Sequence, residues 1–352
     1  LSSKADDEPT AARRNGKPTI NDVARLSGVS KKTVSRVINR SPLLSDDTRR
    51  RVLEVIRDLG YVPNPQARAL ALRTNFLIGL IHDNPNAQMV LNVQQGILEA
   101  LQGTEYEMII RPVDRGSSMM LDDVRQFLER QRLFGVVILP PISENDDLAR
   151  LCEELGCRYV RMGSAELDDA DHMVASNDRE AVRAATSYLI AEGHRLIGLI
   201  AGPHGFRSAT ERRLGFEDAL AEAKIKLPRS LIAEGNYTFE SGITAAEKLL
   251  DLSPPPTAIF ASNDEMAAGV VHAAMQRNIE VPAALSVIGF DDTPISGQIW
   301  PPLTTVRWPI VSMARSAALK LLSAEDHDQV AEPSLFMSRL IKRASVAPVQ
   351  PR

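Results

Sequence analysis

Residues 19–39 read TINDVARLSGVSKKTVSRVIN, two short apolar stripes at helical spacing on either side of a glycine. Ile20, Val23 and Ala24 share one helical face, so residues 19–27 are expected to form a short amphipathic helix. Thr19 suits its N-cap, and Asp22 three residues on is a common start signal. Gly28 breaks the pattern, Val29 is an apolar turn residue, and Ser30 caps a second helix. Val34, Val37 and Ile38 turn that helix's apolar stripe inward and leave Lys31, Lys32, Ser35, Arg36 and Asn39 on the other face. Two short helices about a glycine turn, the second bearing cations near its N-terminus, describe a DNA-reading helix-turn-helix. A third helix follows. Ser45 caps it, Asp46 and Asp47 suit the positive end of its dipole, and Val52, Val55, Ile56 and Leu59 close a small core before Gly60.

This string, together with Thr48-Arg49, Gly60-Tyr61, Pro63-Asn64 and Ala67-Arg68-Ala69-Leu70, resembles the N-terminal domain of the LacI/GalR family of bacterial transcription regulators. The resemblance implies a DNA-contacting set of Thr19, Ser30, Lys31, Lys32, Thr33, Ser35, Arg36 and Asn39. Lys31 and Lys32 are expected at base edges or nearby phosphates, and Arg36 on a guanine in the major groove. Thr33, Ser35 and Asn39 would mostly position the backbone.

Charge is divided unevenly along the 352 residues. Residues 1–75 hold 15 Lys/Arg against 8 Asp/Glu, and the remainder holds 26 against 37. A basic head on an acidic body suits a protein that grips phosphate at one end only. No run of about 18 apolar residues occurs and residues 1–17 are polar, so neither a membrane span nor a signal peptide is expected. The two cysteines, Cys152 and Cys157, are too few for a disulfide framework or a zinc site, and the six histidines lack metal-ligand spacing. No metal or cofactor is expected, and a reducing cytoplasm is the natural compartment.

Residues 1–17 lack periodicity and read as a disordered arm; residues 18–62 form the DNA-binding domain. In residues 63–75, Asn64 can cap and Pro65 fits a first helical turn, but a helix of about two turns is marginal alone. It should order only against a partner. The family resemblance supplies that partner: a hinge helix that packs on its twin in a homodimer and enters the DNA minor groove. Arg68 would lie in this helix, and Leu70 falls on the family's leucine wedge.

From Phe76 onward, short apolar runs alternate with amphipathic stretches. FLIGLI, YEMII, FGVVIL, RYVRM, RLIGLI, TAIFA and LSVIGF read as buried strands, and residues 90–101, 121–132, 179–192, 213–223, 241–252 and 264–277 as helices. Repeated βα units build parallel sheets covered on both faces. A charged, irregular stretch at 166–172 is taken to separate two lobes. The resemblance implies a two-lobed α/β core similar to periplasmic sugar-binding proteins, with three crossings. The first lobe would take about 76–174 and 307–335, and the second about 175–306 and 336–346. The tail, 347–352, has no leucine heptad of the kind family tetramers use, so a dimer is expected.

Ligands of such sheets gather at the carboxyl ends of the strands. The resemblance puts effector contacts at Asp83 and Asn84 after the first core strand, and at Arg212, Tyr237, Asn263 and Asp291. A guanidinium is a fixed fork of donors for hydroxyls or a carboxylate, and a tyrosine ring stacks on a pyranose or a purine alike. Each has a plainer reading: an ion pair of Arg212 with Glu211 or Glu217, a core tyrosine, an aspartate bracing its turn. Trp300 lies farther along the segment that follows Asp291.

βα repeats alone would also fit a dehydrogenase, but no GxGxxG follows the first core strand, and GxSxG, HExxH and P-loop patterns are missing from the sequence. An exported solute-binding protein would share the core without the DNA-binding head. The expected function is therefore a ligand-gated repressor, with carbohydrate genes released by a sugar-type effector. A corepressor of purine type is the alternative.

Overall fold

The computed structural model describes residues 18–38, 44–61, 75–165, 167–323 and 332–349. The arm at 1–17, Asn39, and the hinge positions Arg68 and Leu70 lie outside the described residues. The chain divides into two compact units, Leu1–Thr74 and Asn75–Arg352.

The first unit holds α1 (Ile20–Ser27), α2 (Lys31–Ile38) and α3 (Asp46–Leu59). Thr19 Oγ1 and N donate to Asp22 Oδ2 at 2.7 and 3.0 Å, which ties the start of α1 to its own first turn. Gly28 ends the helix at φ +67°, a left-handed conformation that any side chain would strain. Val23, Val34, Val37 and Val52 form the buried centre. Burial of each contributes roughly 1.5–3 kcal/mol, enough to hold three short helices that would not persist singly.

The second unit is two parallel sheets, each flanked by helices. In order along the chain it contains β1 (Leu77–His82), α4 (Ala87–Leu101), β2 (Glu107–Pro112), α5 (Met120–Gln131), β3 (Gly135–Ile138), α6 (Asp146–Glu154), β4 (Arg158–Gly163) and β5 (Met173–Ser176). There follow α7 (Asp178–Ala191), β6 (Ile197–Ala201), α8 (Arg207–Glu222), β7 (Ile232–Glu234), α9 (Phe239–Leu250), β8 (Ala258–Ala261), α10 (Asp264–Gln276) and β9 (Ser286–Asp291). The unit ends with α11 (Ile295–Gln298), β10 (Thr304–Arg307), α12 (Ile310–Ser323), β11 (Leu335–Phe336) and β12 (Arg339–Ile341). One sheet runs β11-β5-β4-β3-β1-β2 and the other β12-β10-β9-β8-β6-β7, with β10–β12 antiparallel and the other described pairings parallel. Strands covered on both faces need no polar alternation. β3, β5, β6, β8 and β9 are accordingly buried along their whole length.

Three crossings join the sheets. β5 ends at Ser176 in the first sheet, whereas α7 starts at Asp178 and packs on α8 beside the second. β10 ends at Arg307 in the second sheet, whereas α12 packs on α4 beside the first. Met337 and Ser338 link β11 to β12 and make the third. The charged stretch at 166–172 is not one of these crossings. Its described residues join β4 to β5, neighbours in one sheet, with Asp169 holding the turn through His172 N at 3.1 Å and Nδ1 at 3.0 Å. Charge density there marks a solvated loop.

Asp264, fully buried at the start of α10, fastens the second sheet's carboxyl edge. Its Oδ2 accepts from Thr293 N at 2.7 Å and Thr293 Oγ1 at 3.1 Å, and its Oδ1 from Thr305 Oγ1 at 2.5 Å. Burial outweighs these bonds and pushes its pKa up to about 7. A folded-state pKa above the unfolded value means that the stabilising form is the protonated one. That contribution is complete below about pH 4 and is lost as pH rises through about 7. Asp264→Asn, which can keep the bonds without the charge, should therefore gain stability relative to wild type as pH rises from about 4 to about 7. Parallel urea titrations across that range check it; equal slopes against pH would contradict it.

Candidate functional site

In the DNA-binding unit, α2 presents its polar face as expected. Ser30 Oγ accepts from Thr33 N at 3.1 Å and meets Thr33 Oγ1 at 2.9 Å, so these two hydroxyls cap the helix and each other. Lys31, Lys32 and Arg36 are exposed, and among the described residues no carboxylate pairs with them. Ser35 is half-buried between them. Cations left without intramolecular partners on a helix face suit phosphate and base-edge acceptors.

The second candidate site is a cavity between the two sheets, with walls that include Asn84, Phe206, Arg212, Tyr237, Asn263, Asp291 and Trp308. Its centre is Arg212 on α8, 4% exposed. The helix comes this close to α7 because Gly215 has no side chain: a Cβ there would sit 2.1 Å from Arg179 O. Arg212 Nε donates to Asp178 Oδ2 at 2.8 Å and Nη1 to Ser262 O at 2.6 Å, while Nη1 stands 3.8 Å from Asp291 Oδ1. The guanidinium lies 3.6 Å over the Phe290 ring. Neither Glu211 nor Glu217 is its partner; Glu217 pairs with Arg213 instead, at 2.7 Å.

Asp178 anchors more than the arginine. Its Oδ1 accepts from Ser176 Oγ at 2.6 Å, and Ser176 Oγ accepts from Trp308 Nε1 at 2.8 Å. One carboxylate thus orients an arginine and, through a hydroxyl, an indole on a different crossing.

Tyr237 and Asp291 both adopt positive φ, +63° and +111°, outside the range an L-residue prefers. The Tyr237 ring passes over Gly202, where a Cβ would fall 2.3 Å from its hydroxyl. Asn263 caps α10 by accepting from Met266 N at 3.0 Å and donates to Tyr237 O at 3.0 Å. Its amide therefore steadies the tyrosine backbone. Tyr237 Oη and Asp291 Oδ1 are both buried without a well-formed hydrogen bond, Tyr237 Oη having only the Ser208 hydroxyl near it. Burial raises the Tyr237 hydroxyl's pKa and pushes the Asp291 carboxyl well above the usual carboxylate range, against the pull of Arg212.

Asn84 lines the cavity with its amide committed to Pro140 O at 3.1 Å and to Asn86 N at 2.9 Å. Asp83 does not line it. Its carboxylate accepts from Ile142 N at 3.1 Å and pairs with Arg115 at 3.4 Å, bracing the loops after β1 and β3. Trp300 is 85% exposed in a separate groove with Met275 and His272. The tryptophan of the cleft is Trp308, which sequence reasoning passed over, as it did Phe206 and Ser208 of the same wall and the buried Asp178 and Ser176.

The cleft is nearly shut. Its cavity measures about 50 Å³, well below the roughly 300 Å³ of an ordinary small-ligand site. Glu144, from the 3₁₀ turn Ile142–Glu144 of the first lobe, accepts from Arg207 N with both oxygens at 2.9–3.0 Å. α8 has no capping side chain of its own at Phe206, so a residue from the opposite lobe caps it. Arg115 lies 4.2 Å over the Phe206 ring and adds a second tie.

Comparison with known proteins gives this arrangement a lineage. Residues 19–64 match the model of bacterial regulatory proteins, lacI family, and residues 186–346 match the periplasmic binding protein-like domain. Over 335 residues the chain is 32% identical to the probable HTH-type transcriptional repressor ExuR of Bacillus subtilis, covering 93% of this chain and 98% of the relative. The chain belongs to the LacI/GalR family. It is 34% identical over 330 residues to the regulator GalR of Escherichia coli, covering 94% and 96% of the two chains. Among solved structures, the lac repressor dimer bound to operator and the anti-inducer ONPF aligns with a TM-score of 0.77 at 26% identity, over 94% of this chain and 100% of that one. A CelR–cellobiose complex aligns at 0.69 and 29% identity, over 93% and 99%. As a LacI/GalR member the chain is a DNA-binding transcription regulator and not an enzyme. No helix among its described residues is long and apolar enough to cross a membrane.

Glu144→Ala should uncap α8 without touching the cavity wall. Hydrogen exchange at the Arg207 and Ser208 amides is expected to quicken about five- to tenfold, the counterpart of the ~1 kcal/mol of a helix cap. Unchanged protection at those amides would show that Glu144 does not hold the lobes together.

Proposed function

We propose that this regulator is a cytoplasmic homodimeric repressor that reads a two-fold operator through α2 and is released by a small sugar-type effector bound between its lobes. The observation that carries the reading is the meeting, in one cavity, of Arg212, Tyr237, Asp291 and Trp308 with two buried polar atoms that lack a well-formed hydrogen bond. Such atoms are costly unless a ligand completes them. The sugar class is supported by the cellobiose complex of one relative, and the dimer by the operator-bound lac repressor.

Gating follows from the connectivity. The segment after the DNA-binding unit enters β1 of the first lobe, whereas Arg212 and Asp291 belong to the second. A ligand that contacts both lobes biases their orientation only if its affinity differs between orientations. A coupling of roughly 1–3 kcal/mol makes a usable switch.

Two measurements test this reading. Arg36→Ala should cost about 1–3 kcal/mol on the specific operator and spare binding to random DNA; equal losses on both would remove Arg36 from base reading. Arg212→Ala and Asp291→Ala should bind operator normally yet lose the effector response. Operator titrations with and without a sugar identified by thermal-shift screening check this. Wild-type midpoints in both variants would dismiss the cleft as the effector site, and tightening instead of release would make the ligand a corepressor.

A further inference from the structure

The charge balance of the cleft restricts what it accepts. Among the residues lining the cavity, Arg212 is the cation, and its charge is already answered. Asp178, fully buried, takes Nε at 2.8 Å; Ser262 O takes Nη1 at 2.6 Å; Asp291 stands 3.8 Å away. Two carboxylates facing one guanidinium give a formal charge of −1, or zero when Asp291 holds a proton, as its burial favours. Neither state is positive. Nearby arginines lie outside the cavity wall: Arg115 pairs with Asp83, Arg307 pairs with Asp292, and Arg207 and Arg339 are exposed.

The unsatisfied atoms point the same way. Asp291 Oδ1 is buried without a donor, so when ionised it needs a ligand N–H or O–H. A ligand carboxylate or phosphate would add negative charge to a cavity whose formal charge is already zero or −1. Charge buried without a counter-charge is strongly disfavoured. A hydroxyl donates to the carboxylate and accepts from the guanidinium or from Tyr237 Oη without adding charge. The indole of Trp308 and the rings of Phe206 and Tyr237 offer apolar faces to the C–H side of a sugar ring.

We propose that the cleft selects uncharged, hydroxyl-rich ligands and rejects their carboxylate or phosphate counterparts, and that Asp178 sets this selectivity by occupying the guanidinium of Arg212. The proposal rests on the cleft being the effector site. Asp178 acts on specificity as a positioning residue, since it holds Arg212 and, through Ser176, Trp308.

The test is calorimetry and thermal shift on the full-length protein with matched pairs: galactose and galacturonate, glucose and glucuronate, glucose and glucose 6-phosphate, with cellobiose and hypoxanthine alongside. At least one neutral sugar should bind, and its charged counterpart should bind at least a hundredfold more weakly. In Asp178→Asn the uronate should gain at least tenfold relative to its neutral partner, because the guanidinium is then free to pair with it. Where Asp178→Asn does not fold, the wild-type ratio decides alone. A charged sugar that equals or exceeds its neutral partner on wild type overturns the proposal, as does binding of hypoxanthine alone or of no neutral sugar. Trp308→Ala separates this failure from failure of the site. Charged-sugar binding abolished by Trp308→Ala leaves the effector cleft standing and removes only the charge selectivity; binding untouched by it removes the cleft reading.

Discussion

The buried pair of Asp178 and Arg212 is the interaction on which the effector unit depends. Two ions taken from water are expensive, and their mutual attraction repays that only with their remaining donors and acceptors satisfied. Here the satisfaction is nearly complete: Ser164 at 2.9 Å and Ser176 at 2.6 Å donate to the carboxylate, Ser262 O accepts from the guanidinium, and Phe290 lies against its face. Removing one partner of such a pair costs about 3–5 kcal/mol, because the other is stranded. Asp178 opens α7 immediately after the first crossing, and Trp308, tied to it through Ser176, occupies the second. Trp308 N also donates to Asp291 O, at 3.4 Å. Both crossings therefore share one polar network, and the lobes cannot shift without moving the residues that face the ligand.

That coupling explains why the closed cleft matters. A cavity of about 50 Å³ has room for a few waters and not for a sugar ring. If the cleft is the effector site as proposed, occupancy would favour a different lobe orientation, and that preference is the differential affinity a ligand needs to shift an equilibrium. The contacts opposing the shift are few and lie at the cleft mouth: the Glu144 cap on α8 and the Arg115–Phe206 stack. Each is worth of order 1 kcal/mol, small enough to be reversed by the binding of a metabolite.

The DNA-binding head was legible because its signals are local. Caps, glycine stops and the 3.6-residue stripe lie within a few residues of what they control, and Thr19, Gly28, Ser30 and Gly60 are found where those rules put them. The buried strands were legible for a similar reason, since a parallel sheet covered on both faces turns its strands into continuous apolar runs. β5, β7 and β10–β12 were missed; they are short, and four of them lie at or beside crossings, where the run is cut off. α12 was missed as well, its IVSMARSAALKLLS being nearly all small or apolar, without a polar face to betray a period. The cleft was legible only in part. Residue type and position after a strand single out Arg212 and Asp291, but nothing local distinguishes the exposed Trp300 from the buried Trp308. That choice depends on Ser176, 132 residues away. Asp83, too, has the chemistry of a ligand contact and the geometry of a brace.

Two of the described non-glycine residues at positive φ, Tyr237 and Asp291, line the cavity. Tyr237 and Asp291 hold positive φ against a cost of about 1–3 kcal/mol each. The surroundings over-determine both: Asn263 grips Tyr237 O, Gly202 leaves space for the ring, and Trp308 N meets Asp291 O. The same two residues carry the buried polar atoms without a well-formed hydrogen bond, Tyr237 Oη and Asp291 Oδ1. A backbone held in an unfavourable conformation, with side chains lacking well-formed hydrogen bonds, is a set of penalties the fold alone does not relieve. In the proposed effector site, a hydroxyl-bearing ligand would relieve the second penalty on both side chains at once, and the first would keep those side chains aimed at it. Pre-organisation of this kind would trade apo-state stability for binding, with the strain placed at the carboxyl end of β9 and just before α9.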